Sequence, residues 1–125
     1  MFDKYLIVDD SLRATPDGFA FDVRLGYYRG IGLSMVEDLA ITIDGQEVPR
    51  DAVRFDEGRG PLTLDEMETA YDRRWAFGAI ATVHVTWPAL LTVGEHELTF
   101  LERLRVSYLP FPSINTDSKT LRLAA

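Results

Sequence analysis

The chain has 125 residues, enough for one domain with a two-layer core, and 46% of them are hydrophobic, too many for a disordered chain. A net charge of -7, from 20 acidic and 13 basic residues, repels a phosphate backbone and argues against nucleic acid as a partner. Cysteine is absent, which excludes disulfides and thiolate metal ligands. No apolar run approaches the ~20 residues a bilayer span needs, so no membrane partner is expected. The opening MFDKYLIVDD carries aspartates where a signal peptide needs positive charge, so a cytoplasmic location is expected. The basic residues are lopsided, eleven Arg to two Lys. Arg suits interfaces through its planar fork, although codon bias explains most of such an excess more simply.

In chain order, KYLIV at 4–8 predicts a short edge strand, followed by a turn-rich loop from Asp9 to Gly18. Residues 19–25 alternate, with Phe19, Phe21, Val23 and Leu25 on one face and Ala20, Asp22 and Arg24 on the other. Leu39, Ile41 and Ile43 alternate in the same way before Asp44-Gly45, a hairpin signal. Short strands follow at 47–49, where Pro49 suits an edge or bend, and at 53–55. Thr63 with Glu66 three residues later matches a capping box, and Leu64, Met67 and Tyr71 fall near helical spacing, which makes this the single helix candidate. Ala81, Val83, Val85 and Trp87 form the dry face of a strand that Pro88 stops. The longest strand is expected at 95–109, with Leu98, Phe100, Leu104, Val106 and Tyr108 facing the core. Leu121 and Leu123 mark a last strand. Period-two patterning with one dry face per strand predicts an all-β fold, an antiparallel β-sandwich of about seven to nine strands with at most one short helix, as a single domain over 1–125.

Chemistry-bearing patterns are sparse. His84 lies on a polar strand face and His96 at a strand start, where a lone histidine is most often a surface or capping residue. A metal site would need both to converge with a carboxylate. A Ser-His-Asp arrangement lacks a G-x-S-x-G signature. Gly26, Gly30 and Gly32 flank Tyr27-Tyr28-Arg29, with no G-K-[ST] after them and no helical pattern, so this is not a phosphate loop. A wide turn between sheets accounts for the glycines. Tyr27, Tyr28 and Arg29 fit either core packing or a contact surface, because successive side chains of an extended stretch point to opposite sides. Tyr108-Leu109-Pro110-Phe111-Pro112 reads as a strand terminator or as a rigid aromatic lip, with Phe111 held between two prolines past the last core-reaching position. Glu37 and Asp38, being adjacent in a strand, point apart and read as a solvated strand start.

The stretch YYRGIGLSMVEDLAITIDGQEVP resembles the β subunit of bacterial C-glycoside deglycosidases. The resemblance extends to MFDKYLIVDDSL, GFAFDVRL, TLDEMETAYDRRWAFG, LRVSYLPFP and DSKTLRL, and so to nearly the whole chain. GYYRG-x-x-LS-x-VED is its most specific part. The resemblance implies a small β-sandwich that associates with a larger α subunit built on a xylose-isomerase-like barrel. The α subunit would hold a divalent metal, taken as Mn2+, and the histidine acid/base, leaving this chain without a cofactor of its own. The complex would act on 3-oxo-C-glycosides, cleaving the carbon–carbon bond between sugar and an aromatic, flavonoid-type aglycone. In that reaction the ketone acidifies the neighbouring C–H and elimination expels the protonated aglycone carbon, which makes the complex a lyase. No catalytic residue carries over. Tyr27, Tyr28, Arg29, Tyr108 and Phe111 match the motifs and are the expected contacts to the α subunit or the mouth of its site. A freestanding carbohydrate-binding module, with Tyr27, Tyr28 and Phe111 as a sugar platform, and a structural domain assembling through a sheet edge are the alternatives.

Overall fold

The computed structural model describes residues 6–25, 30–76, 79–88, 91–105 and 110–123. Its strands are β1 (Arg13–Thr15), β2 (Gly18–Arg24), β3 (Ile31–Gly32), β4 (Val36–Ile43), β5 (Gln46–Glu47), β6 (Val53–Asp56), β7 (Leu62–Thr63), β8 (Arg74–Trp75), β9 (Ile80–Thr86), β10 (Gly94–Leu104) and β11 (Ser113–Leu123). The α-helix among the described residues is α1 (Leu64–Met67). All strand pairs are antiparallel. One sheet runs β1-β2-β9-β6-β7, the other β11-β10-β4-β5, and β3-β8 form a small ribbon. The expected all-β sandwich is what the chain forms. Its strands outnumber the expected seven to nine because two- and three-residue pairings carry too little pattern to be seen in sequence.

The two large sheets meet through the alternating positions. Phe19, Phe21, Val23 and Leu25 are buried on β2 and just past it, and Leu98, Phe100 and Leu104 on β10. Phe21 and Phe100 pack edge to face across the sheets, centroids 6.1 Å apart at 79°. That geometry sets the positive ring edge against the negative ring face. Gly18 is required at the start of β2, because a Cβ there would lie 2.1 Å from the Val85 carbonyl oxygen and 2.6 Å from the Trp87 nitrogen. Asp44 (φ 50°) and Gly45 (φ 82°) turn β4 into β5 with two left-handed residues, the backbone twist that suits a two-residue hairpin.

Four local expectations need correction. The loop read from Asp9 to Gly18 contains β1, which pairs with β2; of the stretch at 4–8, the described residues 6–8 lie against β2 through an isolated bridge, Ile7 to Val23, rather than a regular strand. The capping box is present, Thr63 Oγ1 accepting from Glu66 N at 3.0 Å and Thr63 N donating to Glu66 Oε1 at 2.8 Å. The helix it opens is only four residues long, and Tyr71 is 78% exposed rather than on a helical core face. β10 ends at Leu104, and positions 106–109 lie outside the described residues. β11 is the largest difference, eleven residues where only Leu121 and Leu123 carried a signal. The run SINTDSKT looks like a turn, yet it pairs residue for residue with β10.

Candidate functional site

His96 shares the inner face of β10 with Leu98 and Phe100 and is buried, not a surface residue. Its Nδ1 donates to Asp44 Oδ2 and its Nε2 to the Thr92 carbonyl, both at 2.6 Å. Both partners are acceptors, so both ring nitrogens must carry protons. The Asp44 carboxylate, then the Thr92 carbonyl, raise the His96 pKa above its ordinary value, and Asp44 is lowered in return. An imidazolium with both nitrogens engaged has no lone pair for a general base. The pair is a structural clamp: Asp44 also accepts from Glu97 N at 2.9 Å, and so ties the β4–β5 turn to β10.

Glu57 and Arg73 form a second closed pair. Arg73 Nε donates to Glu57 Oε2 at 2.8 Å, its Nη2 bonds Glu57 Oε1 and the Gly60 carbonyl, and both side chains are largely buried. Arg73 holds the Glu57 carboxyl below the usual carboxylate range. The pair fastens the 57–60 loop to the segment before β8. His84 is half-buried on the outer face of β9 opposite Arg54 of β6, lining a shallow groove with Asp17 and Thr86. Glu102 is fully buried on the inner face of β10, opposite Asn115 of β11. Glu37 and Asp38 do point apart: Glu37 accepts from Arg103 Nε at 3.0 Å, and Asp38 from Arg50 Nη1 at 2.8 Å. Among the described residues no three His, Asp or Glu side chains group to hold a metal.

What remains is a rim at the hairpin end of the four-stranded sheet. Phe111 is 64% and Ile114 56% exposed, two large apolar side chains three residues apart. Arg103 lies directly across from Ile114 on β10. Arg105 N donates to the Met35 carbonyl at 2.8 Å, and its guanidinium lies 3.6 Å from the Met35 sulfur. Arg, aromatic and aliphatic groups side by side, with no nucleophile or free base among them, suit docking rather than bond-breaking. Of the five residues predicted for this role, the structure describes Phe111; Tyr27, Tyr28, Arg29 and Tyr108 lie outside the described residues. The two ends of the described chain beside them, Leu25 and Gly30, are both buried.

Sequence reasoning missed His96 and Glu102. The signal was available, since both are an even number of residues from Phe100 and so share its face. Polarity by itself does not decide which face a strand residue takes.

The sequence profile of the C-glycoside deglycosidase beta subunit family matches residues 2–108. The chain belongs to that family. It is 37% identical over 111 residues to the 3'-dehydrocarminate deglycosidase beta subunit of a Microbacterium species, covering 88% of this chain and 83% of the relative. It is 32% identical over 93 residues to the C-glycoside deglycosidase beta subunit of Eubacterium cellulosolvens, covering 74% and 63% respectively. A beta subunit of the same name from Microbacterium trichothecenolyticum is 28% identical over 123 residues, covering 98% of this chain and 90% of the relative. As a C-glycoside deglycosidase beta subunit, the chain is one part of an enzyme. No helix among the described residues is long and apolar enough to cross a membrane.

Proposed function

We propose that this beta subunit docks, through its hairpin-end rim, on a larger xylose-isomerase-like barrel subunit, and that the pair cleaves the carbon–carbon bond of 3-oxo-C-glycosides. The observation that carries the reading is the family match over residues 2–108. The exposed pair Phe111 and Ile114 beside Arg103 and Arg105 supports the choice of face. Stable complexes bury ~1,600 Å² and concentrate binding energy in central aromatic and Arg anchors. Tyr27, Tyr28, Arg29 and Tyr108 complete the surface in this reading.

The chemistry belongs to the partner. The described residues of this chain offer no ligand set for a metal, and none is assigned a catalytic role. A divalent ion held by the partner, Mn2+ in our reading, would polarise the sugar ketone. The contribution of this chain is positioning: apolar and guanidinium groups at the mouth of the barrel hold the aromatic aglycone and keep water out while the bond breaks.

The test is co-expression with a barrel-type subunit, followed by assay of aglycone release from a 3-oxo-C-glycoside. Release by the pair and not by either chain alone supports the proposal. Release by this chain alone overturns it. Arg29→Ala is expected to weaken pairing, read as dissociation in size-exclusion chromatography, with the circular dichroism melt unchanged. A folded Arg29→Ala chain that pairs as tightly as the original would remove Arg29 from the interface.

A further inference from the structure

β11 ends its sheet, and among the described residues its outer edge pairs with nothing. Every other edge is short: β1 has three residues, β5 and β7 two each, whereas β11 has eleven. Long open edges expose a row of unpaired N–H and C=O groups, and proteins blunt them with bulges, prolines or outward lysines. β11 has no bulge and no proline within it, and its one outward charge, Arg122, lies near its end. Its register with β10 is unbroken from Ser113 to Leu123, and Pro112 falls before it. Its one lysine, Lys119, is drawn away to the Ile7 carbonyl at 2.8 Å and to Asp9 at 3.1 Å. The outward row runs Ile114, Thr116, Ser118, Thr120 and Arg122; it is exposed and uncharged except for Arg122 at its end.

The strand also reads as its own complement. Turned antiparallel about Ser118, it sets Asp117 opposite Lys119, Thr116 opposite Thr120 and Ile114 opposite Arg122. Asp117, 5% exposed on the inner face, uses Oδ2 to accept from Ile7 N at 2.9 Å, and Lys119 uses two of its three protons, so a pair between them would sit at the inner side of the seam. Threonine pairs and opposite charges are favourable cross-strand neighbours, and a two-fold interface requires such self-complementarity.

We propose that a second copy of this chain pairs along β11, with the two-fold axis at Ser118, joining two four-stranded sheets into one of eight. The seam from Ile114 to Arg122 would be about 30 Å long at the rise of an antiparallel strand. It leaves Phe111, which precedes the strand, outside the seam, with Ile114 at the seam's end bordering both surfaces.

Site-directed crosslinking of the full chain tests this without the partner subunit, so it stands or falls separately from the proposed function. The chain has no cysteine, so S118C introduces a single thiol. Directly opposed antiparallel residues have Cα atoms about 4.5–5.5 Å apart, within disulfide range. Under mild oxidation S118C is expected to become mostly disulfide dimer. T120C alone should crosslink at least ten-fold less, and the T116C/T120C double variant should recover the dimer. Thr116→Lys with Thr120→Lys, both exposed, should raise the dimer dissociation constant ten-fold or more with an unchanged thermal melt. A wild-type chain that stays at 14.1 kDa at 100 μM in light scattering would overturn the proposal. So would S118C crosslinking no faster than T120C, or an edge that becomes protected only when the barrel subunit is added.

Discussion

The four-stranded sheet has two ends built on opposite plans. At the β4–β5 turn, Asp44, His96 and the Thr92 carbonyl close on each other, and the imidazole has no valence left. At the hairpin end, Phe111 and Ile114 stand exposed and the Arg105 guanidinium rests on a thioether. The comparison separates two uses of polar and apolar groups in one sheet. Where every donor meets an acceptor, the groups hold the fold. Where apolar area and guanidinium are left open, they are available to another chain.

The largest expected effect breaks the closed end. Asp44→Ala removes the acceptor of a buried imidazolium and puts a Cβ without a capping side chain at a left-handed position. A loss of about 2–4 kcal/mol is expected from these two costs together, read by urea denaturation. Asp44→Asn tolerates the same backbone and keeps an acceptor, and it should lose roughly half as much. A loss below 0.5 kcal/mol for Asp44→Ala would mean that the clamp contributes little.

The open end should respond in the reverse sense. Phe111→Ala is expected to change stability by less than about 0.5 kcal/mol, as exposed substitutions usually do. It should weaken pairing with the barrel subunit by about 1–2 kcal/mol, measured by isothermal titration calorimetry. A destabilised but fully pairing variant would exchange the roles of the two ends.

A third, smaller effect comes from pH. The folded His96 pKa is raised by Asp44 and Thr92. Its contribution is therefore fully present below the unfolded value of about 6.5 and is lost as pH rises through the folded pKa. Asp44, lowered by the same contact, contributes above the unfolded carboxylate value of about 3.9 and loses that contribution as pH falls. Thermal stability should thus be highest between about pH 4 and 6.5 as far as this clamp sets it, and decline above. His96→Gln should flatten the decline. A melt that rises from pH 6.5 to 9 would contradict the bonding seen at His96. The smallest expected effect is Ile114→Thr, within about 0.5 kcal/mol in stability and a modest loss in pairing by the same calorimetry.

Some of this was written locally. Thr63 and Glu66 carry their capping box within four residues, and Asp44-Gly45 specifies its turn from two residues that tolerate left-handed backbone. Phe19, Phe21 and Val23 alternate on a strand whose neighbours are polar or small, so the dry face can be read without knowing what it packs against. Tyr71 misled for a physical reason: helical spacing is meaningful only while the helix lasts, and α1 stops at Met67.

The sequence by itself determined an all-β sandwich, its main dry faces and its family, because those depend on short-range alternation and on shared motifs. Tertiary structure alone decided the rest. It made a strand of SINTDSKT, whose residues favour turns until eight partners on β10 pair with them. It drew His96 inside, where an aspartate 52 residues earlier and a carbonyl four residues earlier complete its hydrogen bonds. Polar side chains are buried when distant groups meet their bonding needs, and a linear pattern does not record which distant groups those are.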